Sequence, residues 1–289
     1  TGGGVVNFVV FGLGSIGARR ARILRDAGHL VWGVDPDPER QRAFDCYKPW
    51  GPVPVAALIC TPPGRRREPV AAAIEAGAVA VFLEKPLADT ERAAREIVNR
   101  LHGAGVVGVG AANLRWDPRL DAVAPGPWIR GTFWMRQHAR YWNPTHAPVS
   151  MVLDSIHELD LARRYLGPIR RAVGTTSVDA ARLELEHEGG GHSTVHLDRL
   201  GDPPQRGLRL VDSEGGVVRV DLWPPDPHMY VREMEHFAAV AAQPRRLVPE
   251  VPIRDALETF LAALSVVGDS TEPVSYTHLR AHETRGNLV

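Results

Sequence analysis

The stretch Val5-Val-Asn-Phe-Val-Val-Phe-Gly-Leu-Gly-Ser-Ile-Gly17 decides the fold. Its β-rich apolar run Val5–Phe11 predicts a buried strand. The spacing G-x-G-x-x-G follows directly and opens a helical pattern over Ser15–Ala27. Glycines at this spacing allow a tight turn, close approach of a pyrophosphate to the backbone, and close packing of the helix on the strand. The stretch therefore predicts a dinucleotide-binding unit. Its predicted phosphate-binding residues are Gly12, Gly14, Ser15, Ile16 and Gly17.

An acidic residue closes the next predicted strand. The run Leu30–Val34 is followed by Asp35, eighteen residues after Gly17, where a carboxylate can accept a hydrogen bond from an adenosine ribose 2′-hydroxyl. A carboxylate at this place repels a 2′-phosphate, which favours NAD over NADP. Asp37 can substitute for Asp35, and Arg40 is close enough in sequence to leave NADP open.

The composition excludes several classes of protein. The 289 residues carry 34 Lys+Arg and 34 Asp+Glu, so no net charge favours nucleic acid or an anionic membrane. Two cysteines, Cys46 and Cys60, exclude a disulfide scaffold and fit a reducing compartment. No run is long enough to span a membrane, and no spacing is typical of a metal site. We expect a cytoplasmic protein, with the arginine clusters Arg19–Arg25 and Arg65–Arg67 solvated.

Two domains and a foreign tail are predicted. Strand-like runs alternate with helical patterns over the first hundred residues, which predicts an α/β domain with a doubly wound parallel sheet, residues 1–112. Segments alternating at period 2, with helical patterns near the end, predict an α+β domain, residues 113–274. Residues 275–289 have no apolar period and resemble a translated sequencing-adapter read-through, so we expect a non-native tail.

Two further motifs bear chemical groups. Glu84-Lys85-Pro86 follows a predicted apolar strand, at the end where open α/β sheets bind ligands. Asp154, His157 and Asp160 fall within one third of the circumference of a predicted helix, Val152–Leu166. Taken singly, the lysine also fits a surface ion pair, and the histidine also fits a hydrogen-bonded structural residue.

Together these motifs resemble the glucose–fructose oxidoreductase/inositol dehydrogenase (Gfo/Idh/MocA) family. The resemblance covers Val5 to about Val274, nearly the whole chain without the tail. Besides the glycine fingerprint, it is carried by Cys60-Thr-Pro-Pro63, Ala76-Gly77, Glu84-Lys-Pro-Leu87, Asn113-Leu-Arg115, Asp154–Asp160 with Leu166-Gly167, Met234-Glu-His-Phe237 and Asp255-Ala-Leu257.

The resemblance implies a Rossmann domain followed by a domain with an open, mostly antiparallel sheet, which often mediates oligomerisation as a homodimer or homotetramer. It implies NAD(P)-dependent hydride transfer at a carbinol carbon of a sugar, cyclitol or related polyol. The lysine would lie by the nicotinamide and the substrate hydroxyl, often before a cis proline. Further cofactor-binding residues would be Thr61, Pro62, Glu84 and Lys85. Substrate-binding residues would be Lys85, Asn113, Arg115, His157 and Asp160.

Elementary chemistry suggests the same catalytic roles. Oxidation of an alcohol needs a base for the hydroxyl proton, and a histidine with a pKa near 6.5 suits that task. Lys85 can stabilise the developing alkoxide. We therefore expect His157 as general acid/base, with Asp154 orienting it or the substrate, and Asp160 binding a second hydroxyl. A redox-neutral NAD-dependent sugar-modifying enzyme and a non-catalytic cofactor-sensing regulator are the alternatives.

The sequence departs from the family pattern at three places. Asp154 to His157 spans four residues where many members have five. A histidine common after the Thr-Pro-Pro segment is replaced by Arg66. The proline-rich connection Asp35–Val55 is short by about one strand–helix piece of roughly 20 residues and leaves little room for regular structure. Either the adenosine side of the site is trimmed or the sequence has lost a segment.

Overall fold

The computed structural model describes residues 5–44, 55–124, 126–137 and 150–268. Cys46 and the predicted tail, residues 275–289, lie outside them. The described residues form two compact units. The first unit comprises the residues up to Pro118 together with Pro227–Leu257, and the second comprises Arg119–Asp226 with the residues from Glu258 onward.

Eleven strands and eight α-helices occur among the described residues. The strands are β1 (Asn7–Phe11), β2 (Leu30–Val34), β3 (Val55–Ile59), β4 (Ala80–Leu83), β5 (Val107–Gly110), β6 (Trp128–Arg136), β7 (Ile169–Thr176), β8 (Ala180–His187), β9 (His192–Asp198), β10 (Gln205–Asp212) and β11 (Val217–Asp221). The helices are α1 (Ser15–Asp26), α2 (Pro38–Arg42), α3 (Arg67–Glu75), α4 (Glu91–Gly103), α5 (Met151–Asp154), α6 (His157–Leu166), α7 (His228–Ala242) and α8 (Ile253–Gly268). None of these helices is both long and apolar enough to cross a membrane.

The first unit is built on a five-stranded parallel sheet of order β2-β1-β3-β4-β5. Strands β1, β3, β4 and β5 are almost wholly buried because they are short apolar runs with helices packed against them, whereas β2 is only partly buried. This confirms the predicted parallel α/β domain. Among the described residues β2 is an edge strand, and the proline-rich connection contains the short helix α2, where little regular structure was expected.

Helix α7 belongs to the first unit, which differs from the predicted boundary after residue 112. Its apolar face lies in the core of that unit, where the ring of Phe237 is 5.8 Å from that of Phe8 and 5.3 Å from that of Phe82. The sequence does not predict that α7 returns to the first unit. The apolar pattern of an amphipathic helix shows that one face is buried, but not against which core.

The second unit contains a six-stranded sheet of order β11-β10-β6-β9-β8-β7. Neighbouring strands are antiparallel except β6 with β9, which are parallel, so the expected mostly antiparallel sheet is confirmed. Along β8, Leu183 and Leu185 are buried while Arg182 and Glu184 are exposed. This alternation leaves one face of the sheet for α5 and α6 to cover.

Two predictions about local structure are wrong. The predicted helix Val152–Leu166 is two helices, because Ser155 adopts φ −115° and ψ 39°, outside the helical region. Serine leaves helical geometry readily because its side chain competes for backbone hydrogen bonds. The arginine clusters are not wholly solvated: Arg20 and Arg66 are 1% and 2% exposed, because each has buried acceptors within reach.

His187 joins the end of α6 to the sheet of the second unit. Its Nδ1 lies 2.7 Å from the carbonyl oxygen of Gly167, and its Nε2 lies 2.8 Å from Oγ of Ser193. A carbonyl oxygen only accepts, so Nδ1 carries the proton and the neutral ring accepts from the serine hydroxyl. Burial, with the charge of His192 adding to it, lowers the pKa of His187.

This histidine predicts loss of stability in acid. Because its pKa is lower in the folded chain, the unfolded chain binds more protons once the pH falls below about 6.5. The contribution of the neutral ring is therefore fully present above pH 6.5 and decreases at lower pH, by up to about 1.4 kcal/mol per unit. Urea unfolding at pH 7.5, 6.5 and 5.5 will show a steeper decrease for the wild type than for His187→Gln. Equal pH dependence in the two proteins would contradict the assignment.

Candidate functional site

The three glycines of the turn between β1 and α1 differ in the space around them. Gly12 adopts φ +88°, and a Cβ there would lie 2.9 Å from the main chain of Cys60. A Cβ on Gly17 would lie 1.8 Å from the carbonyl oxygen of Gly12. A Cβ on Gly14 would meet nothing within 4 Å. The first and third glycines are therefore required by the fold, whereas the space beside the second is available to a ligand.

Helix α1 begins at this turn with its amino terminus uncapped by a side chain. Gly14 is the N-cap residue, and the first turn contains no acidic residue. The first N–H groups of a helix have no intrahelical partners and lie at the positive end of its dipole. Ser15, Ile16 and Gly17 supply these groups, so the turn fits a bound pyrophosphate.

Asp35 fastens the end of β2 to the glycine turn. Its Oδ2 accepts a hydrogen bond of 2.6 Å from the N–H of Leu13, and its Oδ1 accepts one of 3.0 Å from the N–H of Asp37. Each oxygen has a further lone pair with which it can accept from a ribose hydroxyl. Arg40 forms an exposed ion pair of 3.2 Å with Asp37. The carboxylate and the uncapped helix together fit NAD.

A buried cluster of charges lies at the carboxyl end of β4. Nε of Arg20 donates to Oε1 of Glu84, and its Nη1 donates to Oε2 of Glu233 at 2.6 Å. The other oxygens accept main-chain N–H groups, Glu84 from Lys85 at 3.2 Å and Glu233 from Ala112 at 2.8 Å. Arg20 and its two carboxylates thus tie α1, the end of β4 and α7 together.

The cluster also perturbs proton affinities. Burial alone would lower the pKa of Arg20, but attraction to Glu233 and Glu84 outweighs it, and the pKa lies above its ordinary value. Burial raises the pKa of Glu233, and Glu84 adds to this while Arg20 opposes it. Burial, with the charge of Glu84, raises the pKa of the Cys60 thiol to about 12, so this thiol stays protonated and unreactive at neutral pH.

The segment that follows β4 carries Lys85. Glu84 is buried and Lys85 is half-buried. The Lys85–Pro86 peptide bond is cis, as the family resemblance implied. Arg66 donates to the carbonyl oxygens of Glu84 and Pro86 through Nη1. Its Nη2 lies 3.4 Å from the carbonyl oxygen of Lys85, and its Nε donates to that of Thr61 at 3.0 Å.

The remaining candidates of the first unit have different environments. Thr61 and Pro62 follow β3, and the hydroxyl of Thr61 donates to the carbonyl oxygen of Arg65 at 3.2 Å. Asn113 and Arg115 are buried. Nδ2 of Asn113 lies 3.7 Å from Sδ of Met229, and Nη1 of Arg115 donates to the carbonyl oxygen of Glu250 at 3.0 Å. A role of Asn113 and Arg115 as substrate ligands stays a prediction.

The histidine motif belongs to the second unit. Asp154 is the last residue of α5, whereas His157 begins α6 and Asp160 lies one turn later. His157 and Asp160 therefore share one side of a helix, and Asp154 belongs to a separate helix. Glu158 is 1% exposed and accepts from Nε of Arg206 at 2.7 Å, which anchors α6 to β10. In the described part of the chain, no group of three or more His, Cys, Asp or Glu side chains is placed to hold a metal ion.

Comparison with known proteins identifies the first unit. Residues 6–111 match the model of the Gfo/Idh/MocA family, described as an oxidoreductase family with an NAD-binding Rossmann fold. The amino-terminal domain belongs to the Gfo/Idh/MocA oxidoreductase family. No curated protein matches the sequence.

Solved structures of several dehydrogenases match nearly the whole chain. A myo-inositol dehydrogenase from Corynebacterium glutamicum is 16% identical, with a TM-score of 0.75 over 94% of this chain and 99% of its own. A UDP-N-acetylglucosamine 3-dehydrogenase from Acidithiobacillus ferrooxidans is 19% identical, with a TM-score of 0.73 over 91% and 97%. The WlbA dehydrogenase from Bordetella pertussis, solved with NADH and UDP-GlcNAcA, is 16% identical, with a TM-score of 0.73 over 94% and 99%. At these identities the similarity shows the fold.

Sequence reasoning missed the buried residues that support the segment after β4. Arg20 lies at helical spacing with the buried Gly17, Ala21 and Leu24 of α1, so its burial was readable from the helix period. Arg66 was noticed as a replacement of a histidine and as a member of the cluster Arg65–Arg67, which was expected to be solvated. No sequence signal linked Glu233, more than 200 residues away, to Arg20.

Two glycine variants separate folding from cofactor binding. Gly17→Ala will lower both the melting temperature and NADH affinity, because its methyl group collides with the carbonyl of Gly12. Gly14→Ala will keep the melting temperature but weaken NADH binding at least about tenfold, because the methyl group fills the space beside the phosphates. Thermal unfolding and NADH fluorescence titration test this. A Gly14→Ala protein that binds NADH like the wild type would contradict this placement of the phosphates.

Removing Arg20 will destabilise the first unit. Arg20→Met leaves Glu84 and Glu233 buried beside each other without their shared cation, which costs about 3 kcal/mol or more. Arg22→Met is the matched control, because Arg22 is an exposed residue of the same helix. Urea unfolding measures both. A loss below about 1 kcal/mol in Arg20→Met would show that the cluster relaxes or takes in water.

Proposed function

We propose that this NAD-binding oxidoreductase transfers hydride between NAD and a carbinol carbon of a sugar, cyclitol or related polyol. The observation that carries the proposal is the placement of Lys85. It lies two residues after the end of β4 of the Rossmann sheet, and buried arginines bind the main chain and side chain beside it. Ligands of open α/β sheets bind at this end of the strands. The similar structures named for inositol and UDP-sugar substrates support the substrate class.

The composition of the chain supports a chemical role for Lys85. The sequence contains 32 arginines and only two lysines, Lys48 and Lys85. In so arginine-rich a chain, a lysine that served only in a surface ion pair would be replaceable by arginine. A lysine differs from arginine in its compact charge and in its capacity to shift its pKa when buried. Both properties suit a group that contacts a reacting hydroxyl.

Lys85 is proposed to bind the substrate hydroxyl and stabilise the alkoxide that develops on its oxygen. A positioned ammonium group favours negative charge on that oxygen more strongly in the transition state than in the ground state. When bound, NAD supplies the hydride acceptor. The uncapped end of α1 and Asp35 are proposed to hold its pyrophosphate and its adenosine ribose.

His157 is proposed to take the hydroxyl proton on oxidation and return it on reduction. Its position as the first residue of α6, half-buried on a helix anchored by Glu158 and Arg206, holds it on rigid structure. Asp160, on the same side of this helix, is proposed to bind a second hydroxyl. Asp154 is proposed to orient the imidazole or the substrate.

We also propose that the protein works in the cytoplasm as a homodimer or homotetramer. The face of the six-stranded sheet opposite α5 and α6 carries Trp134 on β6, His196 on β9 and Arg219 on β11. The guanidinium of Arg219 lies 5.3 Å from the ring centre of Trp134. A large polar and aromatic face of this kind is suited to burial between two copies.

A spectrophotometric assay tests the proposed reaction. The full chain is mixed with NAD or NADP and a panel of sugars, cyclitols and nucleotide sugars, and NADH formation is followed by absorbance. Substrate-dependent accumulation of NADH with one class of polyol is expected. NADH binding without net reduction by any member of the panel would contradict a dehydrogenase and favour a redox-neutral enzyme or a cofactor sensor.

Lys85→Arg is the sharpest variant for this assay. It keeps the positive charge but replaces the compact ammonium with a planar, permanently charged group. We expect kcat to fall at least about 100-fold, while the Kd of NADH changes little because the glycine turn is intact. Lys48→Arg is the matched control and is expected to keep wild-type kcat. Full turnover by Lys85→Arg would exclude the assigned role.

A further inference from the structure

We propose that Arg66 is a positioning residue for Lys85: its buried guanidinium binds the main chain before, at and after that lysine and thereby sets where the ammonium group lies. This inference rests on the proposed function, because it concerns the same hydride-transfer site. Arg66 belongs to the turn before α3 and does not itself contact the reacting atoms in this proposal.

The contacts of Arg66 are concentrated on one short segment. Nη1 donates to the carbonyl oxygens of Glu84 and Pro86, and Nη2 lies 3.4 Å from that of Lys85. Nε donates to the carbonyl oxygen of Thr61 at 3.0 Å, which joins the end of β3 to the end of β4. Three consecutive carbonyl oxygens therefore lie around a single guanidinium group.

This geometry needs the guanidinium group. Its rigid fork offers five N–H donors in one plane, whereas an imidazole presents at most two and an ammonium has no fixed directions. Arg66 is 2% exposed, and burial lowers its pKa to about 10, so it remains charged at neutral pH. A buried cation without its acceptors is strongly destabilising. A shift of the segment that carries Lys85 would remove these acceptors from the guanidinium group, so the segment is held in place.

Arg66 and Arg20 act on different parts of the same segment. Arg20 binds the side chain of Glu84, whereas Arg66 binds carbonyl oxygens. A variant of Arg66 thus leaves the carboxylate pairing of Arg20 in place. Arg65 is an adjacent but exposed arginine, so Arg65→Met is a matched control for the loss of one positive charge in this turn.

The scarcity of lysine makes Lys85 directly observable. Reductive methylation with ¹³C-formaldehyde labels Lys48, Lys85 and the terminal amine, and Lys48→Arg and Lys85→Arg assign the two lysine signals. In Arg66→Met we expect the Lys85 methyl signal to shift and its titration midpoint to rise, because a nearby cation has been removed. Arg65→Met and the Lys48 signal are expected to stay as in the wild type.

Kinetics supply the second readout. In Arg66→Met we expect kcat to fall at least about tenfold, because a misplaced ammonium stabilises the alkoxide poorly, with the Kd of NADH within about threefold of the wild type. Arg66→Lys, which keeps the cation but not the fork, is expected to restore the Lys85 titration and only part of kcat. If Arg66→Met does not fold, Arg66→Lys is measured in its place and is expected to show the partial loss of kcat alone.

The results distinguish this inference from the proposed function. A folded Arg66→Met protein with the wild-type Lys85 signal and kcat would overturn the positioning role. Equal losses of kcat and NADH affinity would also overturn it, because they would indicate general damage to the Rossmann domain. If the wild type reduces NAD with no polyol, the proposed function fails, and the Lys85 methyl signal in Arg66→Lys, which keeps the charge but not the fork, decides the role of Arg66: a signal unchanged from the wild type would overturn it.

Discussion

The buried guanidinium groups of Arg20 and Arg66 require acceptors, and this requirement shapes the segment that carries Lys85. A cation removed from water is tolerated only when its donors are satisfied. Arg20 donates hydrogen bonds to the carboxylates of Glu84 and Glu233, and Arg66 donates hydrogen bonds to the carbonyl oxygens around Lys85. The end of β4 is thereby joined to α1, α7 and the turn after β3. Movement of this segment would leave at least one buried charge without a partner.

The same helix serves cofactor binding and the lysine segment. Helix α1 begins at Ser15 with an uncapped amino terminus, and it carries Arg20 on its buried side about one and a half turns later. Five residues of helix correspond to about 8 Å. Helix α1 therefore positions both the expected phosphate site and the carboxylate of Glu84. A substitution that moves α1, such as Gly17→Ala, disturbs both.

Much of the fold was predictable because it depends on local pattern. The bounds of β2 are those predicted, and β1 and α1 agree with the predicted strand Val5–Phe11 and helix Ser15–Ala27 within two residues. The helix of the histidine motif was predicted as continuous, because a periodic apolar pattern does not reveal non-helical backbone at Ser155. The domain boundary was missed because α7 returns to the first unit, and no periodicity specifies which of two cores an apolar helix face enters.

The sequence by itself determined the Rossmann domain, the phosphate turn and the candidate residues Asp35, Lys85 and His157. These follow from spacing within short segments, where residue type and backbone geometry are directly linked. Only the tertiary structure decided what surrounds them. Arg20 and Glu233 are far apart in the chain, so no local pattern predicts their contact. Arg66 binds carbonyl oxygens, which every residue has, so no side-chain pattern predicts that contact either. Burial and hydrogen-bond partners depend on which distant segments the folded core brings together, and they distinguish these two arginines from the many that remain in water.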